Sequence, residues 1–165
     1  MIAVYLGMLA VMCIAGLGYM VIGGELGPRA YVPHTPPPSR PPPPGHTWVE
    51  VKATAYCPCP KCCGKHSDGF TSINRAVAEF PQGIAVEPKL IPYRTELVIP
   101  GYGPAMVDDT GKAMRDSARR GVVHLDLRHA EHKQALRWGV RWLWVAMPGD
   151  SPAAILQRAK DERMR

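Results

Sequence analysis

The stretch Val107–Arg128, VDDTGKAMRDSARRGVVHLDLR, sets two short apolar runs around a charged centre. Its last part, Val122–Arg128, alternates as a strand does. Side chains along a strand point to opposite faces in turn, so Val123, Leu125 and Leu127 share one face and His124, Asp126 and Arg128 the other. An acid between a histidine and an arginine, on the polar face of a half-buried strand, marks a candidate site. Asp108-Asp109-Thr110-Gly111 adds a second acidic corner at a predicted turn, which Asp and Gly favour for separate reasons.

Working outward, Thr47–Tyr56 alternates and is rich in β-formers, and Gly83–Val86, Thr95–Ile99 and Ala105–Val107 predict shorter strands. Prolines and glycines at Pro88, Pro92, Pro100-Gly101, Gly103-Pro104 and Gly121 punctuate them. His129–Trp138 carries helix formers and stops at Gly139. Val140–Met147 returns to strand, with Val140, Trp142 and Trp144 opposed to Arg141, Leu143 and Val145. Short strands with one helix before the last predict a mainly β fold, a small closed six-stranded barrel over residues 46–147 with one or two short helices. Beyond it, over 148–165, Ser151 as a cap and Pro152 at the first helical position predict a short peripheral helix.

The chain ahead of the barrel divides in two. Met1–Gly24 contains no Asp, Glu, Lys, Arg or His, and about 20 apolar residues suffice to cross a bilayer. It lacks the basic start of a signal peptide, so an uncleaved transmembrane anchor helix is predicted over 1–24. Residues 25–45 hold the proline run Pro33–Pro44, which cannot form helix or sheet and predicts a stiff extended stalk. The barrel is then expected on the extracytoplasmic side, although Arg29 and Arg40, the first basic residues after the anchor, favour the opposite orientation.

The length of 165 residues suits one domain with appendages. The net charge of +6 is dispersed, and aromatic residues make up only 7%, so the basic stripe with stacking rings expected of a nucleic-acid binder is missing. No nucleic-acid partner is predicted.

Four thiols crowd the run YCPCPKCCGKH: Cys57, Cys59, Cys62 and Cys63. Their spacing fits neither a two-loop zinc site nor a simple disulfide framework, and both readings stay open at this point, with His66 as a possible substitute ligand. A catalytic thiol is the least expected role, because Pro58, Pro60 and Gly64 shape a stiff structural loop.

Taken in order, the runs KATAYCPCPKCCGKHSDGFT (52–71), GIAVEPKLIPYRTELVIPGYG (83–103), VDDTGKAM (107–114), HLDL (124–127) and HKQALRWGVRWLWV (132–145) resemble the three-aspartate (3D) domain family. That family is related to the catalytic barrel of membrane-bound lytic transglycosylase A. The resemblance implies a double-psi β-barrel acting on peptidoglycan glycan strands, without a catalytic cofactor. Carried over by motif, it implies Asp126 as the acid and base, with Asp109 and Glu87 as the other acidic positions. Glu87 stands where the family has aspartate. Tyr56, Thr71, Asp108, Thr110, Gly111, His124 and Arg128 are the implied substrate contacts.

Glycosidic cleavage needs a proton delivered to the leaving oxygen as an oxocarbenium-like state develops. A lytic transglycosylase then removes a proton from the sugar's own 6-hydroxyl, closing an anhydro ring. One carboxyl can do both if its pKa is raised by burial or by a neighbouring carboxylate. The expected function is therefore that of a lytic transglycosylase. The alternatives are a glycan-binding barrel that does not cut, and a zinc or redox module built on the cysteines.

Overall fold

A computed structural model describes residues 31–149 together with 154, 157 and 161. Among the described residues, seven strands form one sheet: β1 (Tyr31–Val32), β2 (His46–Tyr56), β3 (Gly83–Ala85), β4 (Glu96–Ile99), β5 (Gly103–Asp109), β6 (His124–Arg128) and β7 (Val140–Pro148). Their order is β1-β7-β2-β6-β3-β5-β4. β4 returns against β7, so β2 to β7 make a nearly closed six-stranded barrel. Parallel pairs β2–β6 and β3–β5 are interleaved with antiparallel partners β2–β7, β3–β6 and β4–β5. The expected barrel of short strands is present.

The barrel is filled by the apolar faces of these strands. Val49, Val51 and Ala53 of β2, Ile84 of β3, Leu97 and Ile99 of β4, Val107 of β5, Leu125 and Leu127 of β6, and Val145 and Met147 of β7 form one buried cluster. Each contributes about 1.5–3 kcal/mol of transfer free energy if it is a Val-to-Leu-sized side chain fully removed from water.

Three short helices punctuate the strands: α1 (Pro60–Cys63), α2 (Lys112–Arg119) and α3 (His132–Trp138). The last begins three residues later than expected. Glu131 and Gln134 form a capping box there, so the helix starts at its cap and not at the end of β6. It ends as expected at Gly139, whose φ of 68° suits a residue without a Cβ. No helix was expected at α2. Only Met114, Ser117 and Ala118 of its eight residues are buried, too few to establish a period.

The proline-rich segment lies against the barrel. β1 pairs with the start of β7, His34 stacks on Trp142 at 4.0 Å and bonds Glu50 at 2.8 Å, and Trp144 Nε1 donates to Thr35 O. Trp48 Nε1 donates to Arg40 O. Tryptophans on the outer face of β2 and β7 supply the apolar surface and the donors for this strap, so residues 31–40 do not stand away as a stalk. The predicted anchor over 1–24 lies outside the described residues, as does most of the span of the predicted C-terminal helix; residues 154, 157 and 161 are helical. No helix among the described residues is long and apolar enough to cross a membrane.

Candidate functional site

β2 and β6 run parallel with Lys52, Thr54 and Tyr56 level with His124, Asp126 and Arg128. Level residues on neighbouring strands share a face. The alternation that sends Leu125 and Leu127 into the core therefore gathers Thr54, Tyr56, His124, Asp126 and Arg128 on the other side of the sheet. Asp109 reaches the same side through a register shift. Val107 and Asp109 would share a face on a regular strand, yet Ile84 pairs with Val107 and its neighbour Ala85 with Asp109. The irregularity at Asp108 turns Asp109 away from the core face that Val107 keeps. Ala85 is also level with Asp126 on its other flank. The two carboxylates thus stand on β5 and β6 with one strand between, about 10 Å apart at the backbone.

They border a cleft of about 510 Å³, whose wall also includes Tyr56, Thr71, Ser72 and Cys63. This is within the ordinary size range of small-molecule sites. Lys112 and Arg115 lie along its α2 side. Asp109 accepts hydrogen bonds from the Tyr56 hydroxyl at 2.7 Å, from Thr110 N at 2.9 Å, and from both the amide and the hydroxyl of Ser72. Four donors suit an ionised carboxylate with fixed orientation. Burial holds the Tyr56 phenol well above its ordinary range, so it acts as a neutral donor.

Asp126 differs. Burial first, and the charge of Asp109 next, push its carboxyl up to about 6 against the opposing hydrogen bond from Thr54 and the charge of Lys52. Thr54 Oγ1 lies 2.6 Å from Asp126 Oδ1 and 2.8 Å from His124 Nε2. Burial, then the charge of Lys52, hold His124 down at about 4, so the ring is neutral near pH 7. The Ser117 hydroxyl of α2 lies 3.0 Å from the other ring nitrogen. A hydroxyl has one proton and can also accept. Thr54 can donate to an ionised Asp126, or accept from a protonated one and donate to His124.

Beneath the cleft lies a second network whose central pair is closed to solvent. Arg128 and Asp108 have fully buried side chains and meet in a bidentate pair at 2.9 and 2.6 Å. Arg128 also donates to Tyr56 Oη, Phe80 O and Gln82 O, and Arg75 donates to Asp108 at 3.2 Å. The Tyr102 hydroxyl donates to Arg128 O. The pair passes over Gly83, where a Cβ would overlap Arg128 Nη2 and Asp108 Oδ1.

The structure therefore divides the predicted site residues. Asp126, Asp109, Tyr56, Thr71, Thr110 and Gly111 border the cleft. Arg128 lines the cleft as well, but its side chain is fully buried in the ion pair with Asp108 that supports Tyr56. His124 is buried behind Thr54, and Glu87 lies outside the cleft wall, its carboxylate accepting from Lys89 N two residues on. Thr54, Ser72 and Ser117 were not anticipated. Thr54 alone left a signal, two residues before Tyr56 on the same strand face.

The cysteines sort differently from their spacing. Cys57, Cys59 and Cys62 gather with His132 at the start of α3, with their four donor atoms all within 4.8 Å of one another, a group that could hold a metal ion. Neither Cys63 nor His66 belongs to it. Cys63 donates to Cys57 O and faces the cleft, and no disulfide joins these four cysteines. Burial, then the charge of Cys62, push the Cys63 thiol up to about 11, which makes it a poor nucleophile at neutral pH.

No family model matches the chain. Over 92 residues it is 33% identical to the "Putative cell wall shaping protein YabE" of Bacillus subtilis (strain 168). The matched region is 55% of this chain and 20% of that protein, so the chain spans only about a fifth of the curated relative.

Proposed function

We propose that the barrel acts on cell-wall peptidoglycan as a lytic transglycosylase, with Asp126 as its acid and base. The observation that carries this reading is a carboxyl raised to about 6 in a cleft with Asp109. A group titrating near the working pH can both give and take a proton. Protonated Asp126 gives its proton to the glycosidic oxygen as the bond breaks, and the fixed charge of Asp109 steadies the oxocarbenium-like sugar. The Asp126 carboxylate then takes the 6-hydroxyl proton as that oxygen closes on the anomeric carbon. Thr54 follows these changes by turning its single proton between Asp126 and His124. The cell-wall name of the relative points the same way. The interleaved parallel pairs suit a double-psi barrel, and the apolar stretch 1–24 would anchor it at the extracytoplasmic membrane face.

Mass spectrometry of peptidoglycan digested with the full chain tests the reaction. Fragments ending in 1,6-anhydro sugar are expected. Fragments with reducing ends would mean water attacks, making this a two-carboxylate hydrolase. A binding module that grips glycan without cutting it is favoured by two observations. Glu87 lies outside the cleft wall, and Lys112 and Arg115 lie along the cleft, where they could hold an acidic glycan. Bound but uncut glycan would select it.

A further inference from the structure

The cleft wall between β2 and Phe70 is built from α1 and a 3₁₀ turn, Gly64–His66, that follows it directly. Neither buries a single side chain. A four-residue helix and a three-residue turn cannot hold their shape by backbone bonds alone, since short helices depend on packing for stability. Yet this segment presents Cys62, Cys63 and His66 to the cleft. Something other than an apolar core must fix it.

We propose that Cys57, Cys59, Cys62 and His132 bind one zinc ion, which pins this wall to α3. Three thiols and one imidazole make a closed four-donor set of the structural type. Zinc bonds of about 2.3 Å to sulfur and 2.0–2.1 Å to nitrogen place tetrahedral S and N donors about 3.6 Å apart. His132 Nδ1 lies 3.5, 3.7 and 3.4 Å from the sulfurs of Cys57, Cys59 and Cys62. Cys57 and Cys62 are 3.5 Å apart, while Cys57 and Cys59, at 2.7 Å, must open by about 1 Å to the sulfur spacing of a tetrahedral site. Binding releases the thiol protons to solvent. The ion joins the end of β2 to the start of α3, 70 residues on from Cys62, and Cys63 is left out as a cleft thiol. The metal assignment stands on the donor geometry. Its consequence, that glycan binding requires the ion, rests on the cleft being the glycan site.

The test uses full-length protein purified reduced and loaded with zinc or cobalt(II). One zinc per chain by elemental analysis is expected, with cobalt giving the intense visible bands of a four-coordinate thiolate site. Trypsin should cut after Lys61 and Lys65 only once a chelator has removed the ion. Cys63→Ser should bind one zinc as tightly as wild type. His132→Ala should weaken metal binding by more than the roughly 10–100-fold that losing an outer-shell partner costs, and His132→Cys should restore it. If His132→Ala does not fold, the Cys63→Ser and His132→Cys pair carries the test. No bound ion with all thiols reduced, iron in place of zinc, or equal losses in Cys63→Ser and His132→Ala would overturn the assignment. Metal binding that leaves peptidoglycan pull-down unchanged after chelation would overturn only the link to glycan.

Discussion

Replacing Asp126 with Asn should make the protein more stable at neutral pH. The native carboxyl sits near 6, against 3.8 for an ordinary aspartate, chiefly because burial penalises its charge. The folded state therefore holds this proton more tightly than the unfolded state does. As pH rises from about 4 to about 6 the fold loses stability through this group, and above 6 the full cost applies. A displacement of that size corresponds to about 3 kcal/mol at most. Partial exposure to the cleft reduces it to about 1–3 kcal/mol. Asn keeps the shape and still accepts from Thr54, but carries no charge. Urea melts of both proteins at pH 4, 6 and 7.5 should show the variant more stable by that amount at pH 7.5 and equal to wild type near pH 4. A difference that is flat across this range, or a variant less stable at pH 7.5, would refute the account of Asp126.

The buried ion pair predicts the opposite behaviour. Asp108→Ala leaves the Arg128 charge without its main partner and should cost about 3–5 kcal/mol in urea denaturation, and Gly83→Ala, which forces the pair apart, about 1–3 kcal/mol. Losses within error of zero would remove the pair as the support of Tyr56. The anchor proposal predicts that full-length protein sediments with membranes and that a truncation beginning at Tyr31 does not. Full-length protein in the soluble fraction without detergent would end it.

The barrel was legible because its strands announce themselves by alternation. Val49, Val51, Ala53, Leu125 and Leu127 occupy the core face their period assigned them. The face shared by His124, Asp126 and Arg128 was legible for the same reason, but a shared face does not fix partners. Arg128 turned out to pair with Asp108 under the cleft, because the bulge that frees Asp109 buries Asp108. Such a shift leaves no mark in a hydrophobic pattern. The fourth member of the cysteine group was hidden by distance. His132 lies 70 residues beyond Cys62, and only the parallel pairing of β2 with β6 brings them together. The strap over Trp142 and Trp144 was hidden because proline composition reports stiffness and says nothing of where a stiff segment rests.

The most direct test of the central claim compares wild type and Asp126→Asn on intact peptidoglycan, scoring pull-down and released fragments in one experiment. Both proteins should bind the glycan equally. Wild type should release anhydro-ended fragments, and the variant should be slower by about 10²–10⁴, the loss expected for a general acid and base. An Asn variant that cuts at the wild-type rate would contradict the claim.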